Sequence, residues 1–392
     1  MTLRALSVVF ALSLVSPVWL VSPVWGQAPP EPADLAALEG RLAARLEARR
    51  QERGFPGACV AFVLADGRTG ATCVGETAGA KARSITPADR MMSGSIGKTY
   101  VAAVALQLVA EGKLDLDAKI ETFLGELPWF ARLPNAHDIT VRMLMRHQSG
   151  ILEHVRLPEF AAALRADPDR TFTPAELIAF VLDREPLFAA GEGWSYADTN
   201  YCVLGMILEE VGGKPYYTQL RERILEPFDL QDTVPTDRRD VPGLIAGEHA
   251  GNLIAEGAVV SDGRYAVNPQ FEWCGGGLAC TTLDLARWGA LLYGDDVVSA
   301  ELHEEMLESV PARTGPGDRY GLGVMHMATP HGESYGHSGF MPGYLSVLAH
   351  WPEHGLTMAV QFNTDRGGKL GQRPRRYLAE LAGEILDALG KE

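Results

Sequence analysis

The sequence predicts an α/β fold in which a mostly helical lobe is inserted between two chain ends that are rich in strands. Short strand-like segments, separated by turn residues, lie near both ends of the chain, and helical patterns fill the middle. The 392 residues, 46% of them hydrophobic, can bury a large core. We expect an α/β lobe at about residues 34–113 and 260–392 and a helical lobe at about residues 114–259. A cleft between two lobes is a common ligand site.

The N-terminal part of this pattern consists of a helix, a hairpin and a second helix. Helical periodicity covers Asp34–Arg53, and another helix begins at Ser95 and ends near Gly112. Between them, Gly57–Ala65 and Gly70–Thr77 have the composition of two paired strands. In the predicted insertion, helices are expected at Val141–Arg146 behind a Thr140 cap, after the capping box Thr173–Glu176, and at Asn200–Val211.

The C-terminal part returns to strands. Thr281–Leu292 has a helical apolar face, and Leu378–Leu389 is expected to form a C-terminal helix. Strands are expected at Tyr320–Met327, Ser334–His337, Tyr344–His350 and Leu356–Phe362. Strands from the two ends of the chain would then share one lobe.

The first 26 residues have the features of a signal peptide. Arg4 supplies a short positive region, and Ala5–Leu14 is an apolar stretch of the length that export signals use. A membrane anchor needs roughly 18 uninterrupted apolar residues, and Pro17 and Pro23 break the run. We therefore expect cleavage after Gly26, no transmembrane anchor, and a periplasmic or secreted protein.

The overall charge excludes one class of function. The chain carries 35 Lys and Arg against 50 Asp and Glu, a net charge of −15 with a pI near 5.2. A nucleic-acid surface needs a basic patch, so nucleic acid is not expected as a partner. The sequence also lacks Cys/His spacings typical of zinc sites and a glycine-rich phosphate loop. No metal or cofactor is predicted.

Five cysteines allow two bridges in an oxidising compartment. Cys59 and Cys73 flank the Asp66–Gly67 turn and can face each other across a hairpin. Cys274 and Cys280 bracket a glycine-rich segment and are close enough in sequence for a local bridge. Cys202 is then a buried single thiol.

Ser95 and Lys98 form the first candidate for chemistry. Their spacing places both side chains on one face of a helix, one turn apart, at its N-terminal end. A serine nucleophile needs a nearby base and a place for an oxyanion, and this position offers both. The alternative is a serine that only caps the helix and a solvated surface lysine.

Two later segments bear on this choice. Trp194–Tyr201 precedes a helix and contains Tyr196 and Asp198, and Tyr335–Tyr344 contains His337 on a strand interrupted by glycine and proline. Taken alone, Tyr196 is better explained as a core aromatic and His337 as a strand residue that faces solvent.

Together, Ser-x-x-Lys, Tyr-x-Asp and His-x-Gly in this order resemble the serine β-lactamase and DD-peptidase family. The similarity is to the branch with D-alanyl-D-alanine carboxypeptidases, class C β-lactamases and related esterases, and it covers about residues 57–365. Three further segments support it: Thr140–Gly150, Asn200–Gly205 and Gly276–Leu285. The resemblance implies an antiparallel sheet flanked by helices with the helical lobe inserted, so that residues 34–392 form one serine hydrolase domain.

The resemblance also implies roles for individual residues. Ser95 would attack a carbonyl and become acylated, Lys98 with a lowered pKa would help to take its proton, and Tyr196 would pass that proton to the leaving group. The backbone N–H groups of Ser95 and Phe340 would form an oxyanion hole. Further substrate-binding roles would fall to Asp198, His337, Ser338 and Gly339.

Two departures from class C β-lactamases affect the expected substrate. His337 stands where those enzymes carry lysine, and a neutral imidazole binds a carboxylate less strongly than an ammonium does. Asp198 stands where many relatives carry asparagine, and an ionised carboxylate cannot donate to a substrate carbonyl. It could instead pair with Lys98 or hold a cationic group.

These features favour a DD-carboxypeptidase-like hydrolase that acts on D-amino-acid peptides or esters, including short cell-wall peptides. A carboxylesterase and a weak β-lactamase of the same fold remain alternatives. A non-catalytic peptidoglycan or penicillin sensor is a third alternative, although a pure binder has no need of Ser95, Lys98 and Tyr196 together. The oligomeric state stays open.

Overall fold

The centre of the fold is an antiparallel sheet that joins the two ends of the chain. The computed structural model describes residues 34–251, 253–294, 296–315 and 317–390, so the predicted signal peptide lies outside the described residues. Within them, eight strands form one sheet, in the order β10 (Val310–Pro311), β11 (Arg319–Tyr320), β12 (Met325–Thr329), β13 (Gly332–Met341), β14 (Tyr344–Trp351), β15 (Leu356–Phe362), β1 (Gly57–Val63) and β2 (Thr69–Gly75). The N-terminal β1 lies antiparallel to the C-terminal β15, with Val60 opposite Val360. The predicted fold class, a sheet flanked by helices, is confirmed.

The strands have the following bounds. They are β1 (Gly57–Val63), β2 (Thr69–Gly75), β3 (Met91–Met92), β4 (Thr233–Pro235), β5 (Glu248–His249), β6 (Gly257–Ala258), β7 (Val260–Ser261), β8 (Arg264–Tyr265), β9 (Leu278–Cys280), β10 (Val310–Pro311), β11 (Arg319–Tyr320), β12 (Met325–Thr329), β13 (Gly332–Met341), β14 (Tyr344–Trp351) and β15 (Leu356–Phe362).

The helices have the following bounds. They are α1 (Leu35–Arg53), α2 (Gly97–Ala110), α3 (Glu121–Leu124), α4 (Val141–Met145), α5 (Pro158–Ala166), α6 (Pro174–Ala179), α7 (Asp198–Gly212), α8 (Tyr216–Leu220), α9 (Trp273–Gly276), α10 (Thr282–Tyr293), α11 (Ala300–Leu307), α12 (Gly367–Leu370) and α13 (Pro374–Ala388). Of the described helices, none has the length and apolar character that a membrane crossing requires.

Helices cover both faces of the sheet because its central strands are apolar on both sides. Every residue of β1 and β15 is buried. Successive side chains of a strand point to opposite faces. On β14, Leu348 contacts α10 at Gly289, whereas its neighbours Val347 and Ala349 face α13. The sheet is therefore the middle layer between α10 on one side and α13 on the other.

Helix α2 is buried along most of its length and connects the sheet to the helical part of the chain. Its residue Tyr100 stacks on Trp288 of α10 with ring centroids 4.0 Å apart, and Trp288 donates to Thr99 Oγ1 over 2.7 Å. The residues that follow Ser95 therefore belong to the rigid core, which fixes the start of α2 in space.

Several local predictions are confirmed, and two predicted strands have different bounds in the structure. Thr140 caps α4 and Thr173 forms the capping box of α6. The predicted strand Tyr320–Met327 is instead divided into β11 and β12, because Gly323 has a positive φ of 76° and breaks the extended run. The predicted Ser334–His337 strand is longer than expected, since β13 continues through Met341 to the turn at residues 342–343.

The cysteine pairing is half confirmed. Cys59 and Cys73 lie opposite each other on β1 and β2 and form a disulfide. The second predicted bridge is wrong: Cys274 and Cys280 are separate buried thiols, like Cys202. The segment between them does not fold into a hairpin, since Cys274 lies in α9 and Cys280 pairs in β9 with β3 and β4.

Candidate active site

Ser95 lies where a short 3-10 turn, Gly94–Ile96, leads into α2. Backbone segments pack so closely around Ser95 that positions 94 and 276 have room only for glycine. Gly94 has a φ of 55°, and a Cβ there would lie 2.6 Å from the amide nitrogen of Phe340. A Cβ on Gly276 would lie 2.8 Å from the amide nitrogen of Ser95. The two amides predicted to form the oxyanion hole are thus on segments in direct contact.

Lys98 is fully buried one turn after Ser95, and three acceptors surround its ammonium. Lys98 Nζ donates to Ser95 Oγ over 3.2 Å. It also donates to the Asp198 carboxylate, with which it forms a buried ion pair, and to the carbonyl oxygen of Gly275. An ammonium has three N–H donors, so all of them are used.

The predicted lowering of the pKa of Lys98 is wrong for this arrangement. Burial by itself lowers this pKa, but the negative charge of Asp198, with smaller contributions from Tyr196 and Glu272, outweighs burial and raises it well above 10.5. Lys98 is therefore an ammonium at neutral pH. The raised pKa is caused by the ion pair between Asp198 and Lys98. The sequence analysis left this pairing open as an alternative role of Asp198.

Tyr196 lies two residues before the start of α7, and its ring is packed between Lys98 and His147. Lys98 Nζ lies 4.9 Å from the ring centroid, and the His147 ring lies 4.2 Å from it. Its hydroxyl is buried without a hydrogen-bond partner among the described residues. Burial raises the pKa of Tyr196, and Lys98 lowers it only in part. Tyr196 is therefore a neutral phenol at neutral pH.

Three carboxyl groups meet beside Lys98. Asp198 accepts from Lys98, and its amide N–H donates to Glu153 Oε2 over 2.8 Å. Burial, followed by the charge of Asp198, raises the pKa of Glu272 to about 8 and that of Glu153 well above 4.5. With Ser95 and Tyr196, these carboxyl groups line a cavity of about 490 Å³. Sequence reasoning missed Glu153 and Glu272, because an isolated glutamate is usually a surface residue.

His337 lies beneath the site rather than in it. Its ring is fully buried, Nδ1 donates to the carbonyl of Ser338 over 2.7 Å, and Nε2 lies 2.9 Å from Tyr320 Oη. Both ring nitrogens are therefore occupied. Burial and the charge of Lys98 lower the pKa of His337 to about 3, so the ring is neutral. In this arrangement His337 does not reach a substrate carboxylate, in contrast to the sequence-based expectation.

The bonds of His337 continue as a buried chain. Since the Ser338 carbonyl can only accept, His337 Nδ1 carries the proton and Nε2 accepts from Tyr320. Tyr320 Oη then accepts from His147 Nε2 over 3.2 Å. His147 Nδ1 accepts from the amide of Ala197 over 3.3 Å and from Asn200 Nδ2 over 3.1 Å. This chain connects strand β13 to the start of α7, on either side of Tyr196.

The segment Ser338–Phe340 of β13 faces the nucleophile. A Cβ on Gly339 would lie 1.8 Å from the carbonyl oxygen of Ser93, so strand and turn touch through backbone atoms. Phe340 is 44% exposed, which is unusual for a large apolar residue. It lines the carboxyl cavity and also a second cavity of about 410 Å³, which includes Ser95, Ser338 and Gly339.

The structure thus brings Ser95, Lys98, Tyr196 and Asp198 into contact, and it places Ser338, Gly339 and Phe340 beside them. The sequence model of the family described as Beta-lactamase matches residues 42–383. This chain belongs to the β-lactamase family.

Several known proteins are similar to the chain. Penicillin-binding protein 4* of Bacillus subtilis is 26% identical over 69% of this chain, and a D-aminopeptidase of Brucella anthropi is 25% identical over 73% of it. The chain spans 60% and 52% of the length of these two relatives. A D-stereospecific amidohydrolase from a Streptomyces species is 30% identical, with a TM-score of 0.72 over 86% of this chain and 97% of that one.

Proposed function

We propose that this protein is a serine hydrolase that transfers a D-aminoacyl group to Ser95 and then to water. The similar proteins include a D-aminopeptidase and a D-stereospecific amidohydrolase, which support a D-amino-acid substrate. The contact of Ser95 with Lys98, Tyr196 and the Phe340 backbone supports acyl transfer. The finer expectation of a DD-carboxypeptidase remains within this proposal.

One observation carries the choice of substrate: the nucleophile shares its cavity with three carboxyl groups. Lys98 neutralises Asp198, while the raised pKa values of Glu153 and Glu272 mean that these two groups lack a cation of their own. A substrate ammonium in this cavity would supply that cation and allow a carboxyl group to ionise. The free α-amino group of a D-amino acid amide, ester or peptide fits this requirement.

The protonation states suggest a proton route through Lys98. Lys98 contacts both Ser95 Oγ and Asp198, so it can give a proton to Asp198 while it receives the serine proton. Ser95 Oγ then bonds to the substrate carbonyl carbon, and the Ser95 and Phe340 amides hold the oxyanion.

Collapse of the tetrahedral intermediate breaks the bond to the leaving group. Tyr196 gives its proton to the leaving nitrogen or oxygen, takes one from Lys98, and Lys98 recovers its proton from Asp198. Water repeats the attack on the ester of Ser95, which releases the D-amino acid and restores the serine hydroxyl. Every proton is returned, so no net change of charge remains in the site.

Export is part of the proposal. The Cys59–Cys73 disulfide supports it, because such bonds persist mainly in oxidising compartments. The signal-peptide features of residues 1–26 are a second, sequence-based support.

The decisive experiment is covalent labelling. Incubation with a D-alanine p-nitrophenyl ester should release nitrophenol in a burst and add one D-alanyl group to Ser95, detected by mass spectrometry of the intact protein and its peptides. Ser95→Ala should remove both, whereas Ser93→Ala, two residues earlier, serves as a matched serine control whose labelling site stays Ser95. Labelling of the Ser95→Ala variant equal to that of the wild type contradicts the mechanism. Absence of labelling by any D-aminoacyl ester contradicts the proposed substrate class.

A further inference from the structure

Two backbone segments contribute apolar side chains to the cavity that contains the three carboxyl groups. Leu253 comes from the segment between β5 and β6, whereas Phe340 and Pro342 come from the end of β13 and the turn that follows it. His249 is the last residue of β5 and pairs with Gly257 at the start of β6, so these two residues form the base of the segment that carries Leu253. The position of this apolar lining depends on what holds β5 against the turn after β13.

A single carboxylate, that of Asp365, connects the two segments. Asp365 follows the end of β15, and its Oδ1 accepts from the amide of Ala250 over 2.9 Å. Its Oδ2 accepts from the amide of Gly343 over 2.9 Å and from Nδ1 of His249. His249 and Ala250 lie at the base of the segment that carries Leu253, and Gly343 lies in the turn after β13. One side chain therefore binds three donors from two segments.

These contacts are shielded from water. The side chain of His249 is 0% exposed and that of Asp365 is 1% exposed. Hydrogen bonds to an ionised group are roughly twice as strong as neutral ones, and a buried carboxylate needs such donors. His249 Nε2 has no hydrogen-bond partner among the described residues, so the hydrogen bond of the ring is the one that Nδ1 makes to Asp365. The contact between His249 and Asp365 therefore fixes the orientation of this ring.

The turn after β13 is also packed directly against the neighbours of β5 and β6. Gly343 has a φ of 90°, and a Cβ there would lie 2.6 Å from Val259 Cγ2. A Cβ on Gly247 would lie 2.1 Å from the carbonyl oxygen of Gly343. Tyr265 Oη donates to the carbonyl oxygen of Pro342 over 2.7 Å. Because close-packed atoms transmit displacement, a shift of β5 would move the turn as well.

This arrangement lies next to groups that the proposed reaction uses. Phe340, whose amide is proposed to hold the oxyanion, lies on β13 shortly before the turn. In a D-amino acid ester, the α-ammonium and the side chain are attached to the same carbon atom. An ammonium placed among the carboxyl groups therefore brings the side chain into the same cavity, where Leu253 and Pro342 belong to the lining.

We propose that Asp365 and His249 are positioning residues that determine how strongly the enzyme discriminates between acyl side chains of different size. This inference rests on the proposed function and adds a specificity determinant to it. Neither residue is among the described residues that line the two cavities, so both act through the segments that they hold. A large acyl side chain contacts more of the lining than a methyl group does. Its binding therefore depends more on the position of Leu253 and Pro342.

The test compares the D-phenylalanine and D-alanine p-nitrophenyl esters in the wild type and in two variants of His249. His249→Leu removes the donor to Asp365 and leaves an apolar side chain. We expect the ratio of kcat/KM for the phenylalanine ester to that for the alanine ester to fall about tenfold, mainly through KM of the larger ester. His249→Asn returns an N–H donor close to the position of Nδ1 and should recover most of the wild-type ratio.

Asp365→Asn is a second variant of the same contact. The amide has one acceptor oxygen, so in either orientation the base of the segment that carries Leu253 loses a hydrogen bond. The ratio should fall here too. Asp284→Asn is the matched control, because the buried Asp284 accepts from the amide of Asp232 over 2.8 Å and is not among the described residues that line either cavity. It should lower the melting temperature without changing the ratio.

The outcomes distinguish this proposal from the proposed function. A wild-type ratio in His249→Leu and Asp365→Asn overturns the positioning role, and so does a fall of the same size in Asp284→Asn. An equal fall in His249→Leu and His249→Asn overturns it as well, since the donor would then be irrelevant. If His249→Leu does not fold, the ratio in Asp365→Asn decides. In all these cases acylation of Ser95 still supports the proposed function, whereas failure of both esters to react with Ser95 in the wild type contradicts both proposals.

Discussion

All three N–H donors of the Lys98 ammonium are used, and this limits how Ser95 can be activated. The ammonium contacts Ser95, Asp198 and Gly275, and the pKa of Lys98 is raised by its carboxylate partner despite complete burial. A lysine that is charged at neutral pH cannot accept a proton unless it passes one on. Asp198 is the carboxylate in contact with Lys98, so it is the group that the proposed proton route requires as the acceptor.

Asp198→Asn should separate this role from the proposed binding of a substrate ammonium. The amide has nearly the same shape but cannot accept the proton, so kcat should fall about tenfold to a hundredfold for esters with and without an α-ammonium. KM should rise only for the ammonium-bearing ester. Because burial without a carboxylate lowers the pKa of Lys98, the residual kcat should increase with pH as Lys98 itself becomes the base. Steady-state kinetics over the pH range test this, and an unaltered pH profile would contradict the proton route.

Glu272 predicts a pH dependence of stability. Its pKa is about 8 in the folded protein against an ordinary value of 4.5, so the folded state holds a proton that the unfolded state releases. The contribution of Glu272 to stability is full below pH 4.5 and is lost as pH rises through about 8. Glu272→Gln has no proton to lose and should therefore be more stable than the wild type at pH 9, by on the order of 2 kcal/mol.

Urea unfolding at pH 5 and pH 9 measures this difference. The wild type should lose more stability between the two pH values than Glu272→Gln does. Glu301→Gln, an exposed change on α11, should behave like the wild type. If Glu272→Gln loses as much stability as the wild type between pH 5 and pH 9, the buried protonated state assigned to Glu272 is wrong.

At the scale of elements, the chain His337–Tyr320–His147 connects the strand that faces Ser95 to the segment that carries Tyr196. Each hydrogen bond in this chain has one allowed direction. The backbone carbonyl at one end can only accept, and this fixes which group donates in every following bond. A fully satisfied buried network of this kind fixes the relative position of the elements it joins. We therefore assign these three residues a positioning role toward Tyr196.

Tyr320→Phe should break this network at its centre. It leaves His147 Nε2 without an acceptor and His337 Nε2 without a donor, so stability should fall by about 1 to 3 kcal/mol. Since Tyr196 packs on His147, acylation should also slow by about tenfold, with a smaller change in KM. Thermal unfolding and the burst rate with the D-alanine ester measure the two effects.

Tyr293→Phe provides the comparison, because the buried hydroxyl of Tyr293 has no hydrogen-bond partner among the described residues. Its removal should not reduce stability or burst rate. If Tyr320→Phe is destabilised but acylates at the rate of the wild type over the whole pH range, the network supports the fold and does not position Tyr196.

For the whole molecule, the features that are predicted best from the sequence are those set by residues close together in the chain. The Ser95–Lys98 spacing, the capping box at Thr173 and the hairpin that pairs Cys59 with Cys73 are all local patterns, and the structure contains each of them. The proposed division into lobes at residues 114 and 259 remains a prediction. Glu153 and Asp198 come from that middle segment, whereas Ser95 comes from the flanking one.

Contacts between polar groups that are far apart in the sequence are not predictable from the sequence pattern. Glu153 meets the amide of Asp198 across 45 residues, and Tyr320 meets His337 across 17. Nothing in the local pattern distinguishes these side chains from ordinary surface or core residues, because their burial and protonation depend on the assembled fold. The pKa of Lys98 was mispredicted for the same reason.

The close packing of backbone segments around Ser95 has a consequence for protein engineering. Gly94, Gly276 and Gly339 bring main-chain atoms so close to one another that a methyl group at any of these positions would overlap backbone atoms. Libraries that vary these positions should yield mostly inactive protein. Changes of substrate selectivity have to come from side chains that line the cavities. Phe340 is one of them, because it is exposed and lines both cavities. A smaller residue at position 340 would enlarge both cavities. The binding preferences of the two cavities should therefore change together.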